Sequence, residues 1–361
     1  MRVVGDGAAL RGRVDPREPL IPGHATLPIP SAPLMTMALQ SLRVLLLAAG
    51  LAGVPSTTLA QAQEWPARPI QIVVPFVPGG YVDTYARVVA ARLGPALGQS
   101  VVVENRPGAS GNTGSAQVAK AAPDGYTFLV TAINTHAVNL SLYRDLPFHP
   151  VRDFTPVALI AEGASAWIVP ATVDVSTVDE LVALARAQPG KLSYASAGVG
   201  TLGHLMISWM ASREGIRMIH VPYKGENDAL LAALRGDVTL AQVSVASVVP
   251  HVAEGRIRVI ATTGSTRAAP MPNVPTIAES LPGISGTAWI GMFAPANLPP
   301  GIAARVNAEV DRIMTSDEIR QRLVASALVH PTMTPAQFGD FQQAEIAKWA
   351  KVVQSNGIRI E

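Results

Sequence analysis

KLSYASAGVGTLGHLMISWMASR, residues 191–213, decides how this chain is organised: a short strand-like run breaks at Gly198 and Gly200 and then becomes a helix. After the break, Leu202, Leu205, Met206, Trp209 and Met210 recur at i, i+3, i+4, i+7 and i+8, one stripe of a helical period that packs inward. The loop ahead of the helix holds Ser196, Ala197, Gly198, Gly200 and Thr201, small residues that let backbone N–H groups face outward at a helix N-terminus. Those free donors and the positive end of the helix dipole suit an anion. Gly198, Gly200 and Gly203 also spell G-x-G-x-x-G, the dinucleotide fingerprint. Against a nucleotide stands the strand before it, polar at Ser193, Tyr194 and Ser196 where a nucleotide fold has a buried aliphatic run. Glycines that merely turn the chain are the third possibility for this loop.

A second glycine turn lies upstream, Val74-Pro-Phe-Val-Pro-Gly-Gly-Tyr-Val-Asp83, between an aliphatic strand and a helix with the stripe Val82, Ala86, Val89, Leu93 and Leu97. Asp83 falls in the first turn, where an acid complements the dipole and caps, or else touches a ligand. Ligands of open α/β sheets collect at the carboxyl ends of strands. One such turn from each of two lobes, face to face, would grip a molecule with two anionic ends.

Between and after these turns, strand-like runs alternate with amphipathic helices. The first set is strand 70–76, helix 82–97, strand 100–104, helix 113–121 and strand 127–131. The second is strand 164–169, helix 178–187, strand 192–196, the helix after Gly203, strand 218–221, helix 229–235 and strand 238–243. Helices over 301–314, 317–326 and 335–354 close the chain. This alternation predicts α/β layers with a largely parallel sheet, divided into two lobes because some 300 residues exceed a single core.

The chain opens with Pro-, Gly- and Arg-rich residues 1–34 that carry no period and read as an upstream over-read or a disordered extension. From Met35 or Met37 there follow Arg43, an apolar run 44–54 and small residues to Ala60 and Ala62, a secretory signal over 35–62 too short to anchor in a bilayer. Removing residues 1–62 takes five arginines and three acids from totals of 28 and 26, leaving 23 of each and no net charge. Nothing then points to nucleic acid or a membrane surface. Cysteine is absent from the whole chain, which excludes disulfides, thiolate metal sites and cysteine nucleophiles.

His136, His204 and His220 fall near predicted strand ends or helix starts, but no H-x-x-x-H or H-E-x-x-H spacing pairs them on a helix as metal ligands. A serine hydrolase would normally show a G-x-S-x-G elbow, and none occurs. Asp83, Asp124 and Asp237 offer carboxylates without any spacing that marks an acid–base pair. An exported α/β enzyme using the same cleft, hydrolytic or dinucleotide-dependent, therefore stays as the rival class.

Taken in order, Pro75-Phe-Val-Pro-Gly-Gly80 with Asp83 and Arg87, Val103-Glu-Asn-Arg-Pro-Gly108, Pro123-Asp-Gly-Tyr-Thr127, Asp153-Phe-Thr-Pro-Val157, Tyr194-Ala-Ser-Ala-Gly198 through Gly200 to His204-Leu205, His220-Val-Pro-Tyr-Lys-Gly225, Asn273-Val-Pro-Thr276 and the segment from Glu345 to Trp349 carry a resemblance. From about Trp65 to the C-terminus the chain resembles the Bug-type periplasmic solute receptors of the tripartite tricarboxylate transporter class. The resemblance implies a type II periplasmic-binding fold: lobe I over 63–163 and 289–361, lobe II over 164–288, two crossing strands with hinges near 164–167 and 286–290, and ligand in the cleft. It also implies a small organic carboxylate as ligand, a two-subunit membrane permease as partner, a periplasmic monomer, and no cofactor, metal or catalysis. Candidate ligand contacts in lobe I are Phe76, Gly79, Gly80, Tyr81, Asp83, Thr135 and His136. Those in lobe II are Ser165, Ser196, Ala197, Gly200, Thr201, His204, Gln242 and Ser244. Backbone N–H groups at 79–80 and 197–201 are expected to hold the carboxylates, with hydroxyls from Ser196 and Thr201. Gly80 and Gly200 are expected to permit a close approach that a side chain would block. Tyr81, Trp167 and Gln242-Val243 depart from the residues usual in such receptors and bear on which ligand is taken.

Overall fold

β1 (Ile70–Val74) is buried along its length except at Gln71, and it forms the spine of a six-stranded sheet. The computed structural model describes residues 65–359; the extension over 1–34 and the export signal over 35–62 lie outside the described residues. From β1 the chain passes through the first glycine turn into α1 (Tyr81–Leu97), which stops at Gly98 in the left-handed region that glycine tolerates. β2 (Val101–Asn105), α2 (Asn112–Ala119) and β3 (Thr127–Ala132) complete a parallel β2-β1-β3 unit. A single π-turn at Asn134–Val138, the short α3 (Asn139–Leu142) and β4 (Phe154–Gly163) follow.

Only Ala164 separates β4 from β5 (Ser165–Pro170), which belongs to a second sheet. That sheet grows through α4 (Val178–Ala187), β6 (Ser193–Ser196), α5 (Leu202–Arg213), β7 (Ile219–Pro222), α6 (Glu226–Arg235), β8 (Leu240–Ser244), α7 (Val245–Ala253) and β9 (Ile257–Thr262). After α8 (Ile277–Ser280) the chain returns to the first sheet as β10 (Ala288–Pro295). α9 (Pro300–Met314), α10 (Asp317–Ala325), β11 (Leu328–Val329) and α11 (Pro335–Ser355) finish it.

The strand orders are β11-β4-β10-β3-β1-β2 and β7-β6-β8-β5-β9. In each sheet one strand that arrives from the other half, β10 or β5, is wedged between two strands and runs antiparallel to both. The two-residue edge strand β11 also runs antiparallel, to β4; the pairs β1–β2, β1–β3, β6–β7 and β6–β8 are parallel, as the βαβ pattern predicts, and the reversed β10 and β5 follow from the chain crossing between sheets. Periodicity gives no strand over β4, β9 or β10 and no helix over α7. β4 and β10 are near-continuous apolar runs buried on both faces, which carry no alternation, and α7 contains Pro250 among β-branched valines. Gly163 ends β4 where the two crossings meet, paired with Ala288. A side chain there would overlap Leu328 and stand 2.7 Å from the Ala327 carbonyl oxygen.

Candidate functional site

Where the two sheets face each other lies a cavity of about 480 Å³, within the range of small-ligand sites. The first sheet contributes Gly79, Tyr81, Thr84 and Tyr85 from α1 and its turn, Ile133 and Asn134 after β3, and Arg322 and Ser326 at the end of α10. The second contributes Ser165, Ala197, Thr201 to Gly203, Glu226, Gln242 to Ser244 and Ala246. Asn134 Nδ2 donates to the Gly200 carbonyl at 3.3 Å, a direct link between the two walls.

The turn before α1 is held from beneath. Asp83 is buried and accepts from the Gly79 N–H at 2.9 Å, from Asn105 Nδ2 at 2.9 Å and from Arg87 Nε at 3.0 Å. Burial pushes its carboxyl pKa up, but the bonds from Arg87, Gly79 and Asn105 outweigh burial and hold it at about 2. Asn105 also donates to the Phe76 carbonyl at 3.0 Å, so this cluster sets the path of the loop. Phe76 and Asp83 therefore support the turn and do not line the cavity.

Gly79 has a positive φ of 82°, whereas Gly80 sits at −70° and a side chain there would come no nearer than 3.7 Å to Val77 O. The backbone that requires glycine is at Gly79. Gly80 is an ordinary extended N-cap and lies off the cavity lining.

The loop after β6 spends several of the donors expected to meet a ligand. Ser196 Oγ donates to Gly198 O at 3.0 Å and meets His220 Nε2 at 2.7 Å, and Thr201 Oγ1 donates to the same carbonyl at 2.7 Å. The N–H groups of Gly198 and Gly200 go to Ser196 Oγ and His204 Nδ1. His204 stacks on His220 at 4.0 Å and His220 on Tyr194 at 4.9 Å, a pillar under the loop. Burial, with His220 adding to it, lowers the His204 pKa to about 4, so this ring is a neutral acceptor. Ser196, Gly200 and His204 thus shape the loop from behind; Ala197 and Thr201 line the cavity.

Thr135 and His136 are fully buried in the first half, away from the lining. Thr135 Oγ1 bonds Thr131 Oγ1 at 2.6 Å and His136 Nδ1 at 3.0 Å, and the His136 ring lies among Phe148, Phe154 and Phe293, where burial lowers its pKa to about 3. Ser165, Gln242 and Ser244 do line the cavity. Gln242 Oε1 accepts from the buried Trp167 Nε1 at 2.9 Å, so two of the unusual residues form one pair.

Among the described residues, no partner takes the N–H groups of Tyr81 and Val82 in α1, of Leu202 and Gly203 in α5, or of Ala197. Two helix starts from opposite walls therefore present bare donors toward one cavity, the arrangement that holds anions. Tyr81 is 47% exposed, and desolvation, with the charge of Glu226 adding to it, pushes its phenol pKa up. Asn134, Glu226 and Arg322 carry no motif and come from unrelated parts of the chain. Among the described residues no cluster of His, Asp and Glu could hold a metal.

The family model described as "Tripartite tricarboxylate transporter family receptor" matches residues 85–358. The chain belongs to this receptor family. BugT of Bordetella pertussis is 33% identical over 329 residues, which cover 91% of this chain and 99% of BugT. Rpa4515 of R. palustris, solved with adipate, superposes with a TM-score of 0.73 at 35% identity, covering 82% of this chain and 99% of that one. MatC of Rhodopseudomonas palustris, solved with bound malate, gives 0.70 at 32%, covering 80% and 100%. The receptor has the type II periplasmic-binding fold, two α/β lobes around a cleft joined by two crossing strands. Among the described residues no helix is long and apolar enough to cross a membrane.

Proposed function

We propose that this receptor captures a small organic carboxylate in the cavity between its sheets and delivers it to a membrane permease, working in the periplasm as a monomer, without cofactor or catalysis. The observation that carries the proposal is the pair of helix starts, α1 and α5, whose partnerless N–H groups open on one cavity from opposite walls. The adipate and malate held by its relatives support the ligand class. On this proposal Tyr81, Ala197, Leu202 and Gly203 offer backbone donors, Gln242 its amide and Asn134 a contact across the cleft. Gly79, Ser165, Thr201 and Ser244 complete the wall. Asp83, Phe76, Ser196, Gly200 and His204 act by setting the two loops. Lobe I comprises residues 63–163 and 289–361 and lobe II residues 164–288, hinged where β4 runs into β5 and just before β10 begins at Ala288. Export rests on the apolar segment 44–54 with its small residues up to Ala62.

A melting screen of mono-, di- and tricarboxylates, aromatic acids and acidic amino acids tests the function. A ligand at 100 times its Kd raises stability by about 2.7 kcal/mol. A shift by NAD or an ester with none by any carboxylate, or turnover of either, would overturn the proposal. N-terminal sequencing of the exported protein is expected to start near Gln61 or Gln63.

A further inference from the structure

The described cavity lining contains two charged side chains, one from each half of the molecule: Arg322 on α10 and Glu226 at the start of α6. Glu226 is fixed in place. Its Oε1 accepts from the Ser244 N–H at 2.9 Å, from Ser244 Oγ at 2.6 Å and from Ser247 Oγ at 2.8 Å, which ties the carboxylate to the end of β8 and the first turn of α7. All three donors are neutral and converge on one oxygen. Among the described residues nothing donates to Oε2, and no lysine, arginine or histidine pairs with the group. The guanidinium of Arg322 likewise makes no ion pair or hydrogen bond among the described residues. A held but uncompensated acid thus faces the cavity from lobe II, while unpaired positive charge and bare helix N–H groups face it from elsewhere.

We propose that the physiological ligand is a carboxylate that also carries a protonated amine, and that Glu226 Oε2 receives the amine while the carboxylate lies against the helix-start N–H groups and Arg322. This rests on the receptor function proposed above and narrows its ligand. A plain dicarboxylate would bring a second negative charge to a wall that already holds one, inside a cleft where water screens poorly. An ammonium brings three donors to an oxygen that has none. Burying Glu226 under a ligand without a cation would leave its charge desolvated and unmatched. Desolvation pushes the phenol pKa of Tyr81 up, and the negative charge of Glu226 across the cavity adds to it.

The test is calorimetric titration of the mature receptor with chain-length-matched pairs: 4-aminobutanoate against glutarate, 5-aminopentanoate against adipate, and glutamate against glutarate. At least one amino acid is expected to bind tenfold or more tighter than its dicarboxylate partner. Glu226→Gln keeps the volume and an oxygen for the three serine donors, so its melt should stay near that of the wild type. It should weaken the amino acid on the order of 100-fold, the worth of a hydrogen bond between charged groups, and leave the dicarboxylate unchanged or tighter. Dicarboxylates that bind the wild type as well as or better than every amino partner would overturn the inference and leave the receptor function standing. Amino acids that bind equally well to Glu226→Gln would reduce Glu226 to a structural tie. If no compound of either series binds, the carboxylate-receptor proposal fails and this inference with it. Should the variant not fold, the wild-type ranking alone decides.

Discussion

Replacing Asp83 separates a loop support from a ligand contact. Its carboxyl pKa is held at about 2 against an ordinary 3.8 by the bonds from Arg87, Gly79 and Asn105, which prevail over burial. A shift of this size corresponds to about 2 kcal/mol. Arg87 is half-exposed and water screens part of its share, which leaves about 1–2 kcal/mol. Because the folded-state pKa is depressed, this stabilisation is present above the unfolded pKa and is lost as pH falls from about 4 toward 2. Asp83→Asn removes the charge and keeps an acceptor, so it should cost about 1–2 kcal/mol at pH 7. Asp83→Ala also abandons the Gly79 N–H and the Asn105 amide and should cost about 2–3 kcal/mol. Urea unfolding at pH 7, 4 and 3 reads the stability, and titration calorimetry at pH 7 reads the affinity. The wild-type advantage over Asp83→Asn should shrink between pH 4 and pH 3, and affinity should fall only as the loop loosens. An advantage that stays constant to pH 3, or binding abolished in Asp83→Asn at wild-type stability, would refute the support role and put Asp83 on the ligand.

Gly79→Ala should destabilise by about 1–2 kcal/mol because φ is 82° there, whereas Gly80→Ala at −70° should change stability by less than about 0.5 kcal/mol; equal costs in urea unfolding would contradict the assigned turn. Asn134→Ala removes the hydrogen bond to Gly200 that spans the cleft, and titration calorimetry should show ligand binding weakened by roughly 5- to 10-fold. In X-ray scattering the wild-type radius of gyration should fall on saturation with ligand; an unchanged radius would mean that the ligand engages one lobe only.

Local order in this chain was legible because it depends on neighbours in sequence. The stripe from Leu202 to Met210 and that from Val82 to Leu97 become helices, and Thr127 to Thr131 falls within a strand, since period and propensity act over one or two turns. Both glycine turns were legible for the same reason, and with them a two-lobed α/β chain that offers helix starts to an anion. Which donors remain free was not legible. Gly200 loses its N–H to a histidine four residues on, and Gly79 loses its own to Asp83, outcomes set by side-chain rotamers and by the His204–His220 stack. The strands β4 and β10 are not legible in the sequence because a run buried on both faces has no period to read. Only the tertiary structure brings Asn134, Glu226 and Arg322 to one cavity from three separate segments. The sign and placement of charge around a ligand depend on contacts between residues far apart in the chain, and local periodicity carries no information about them.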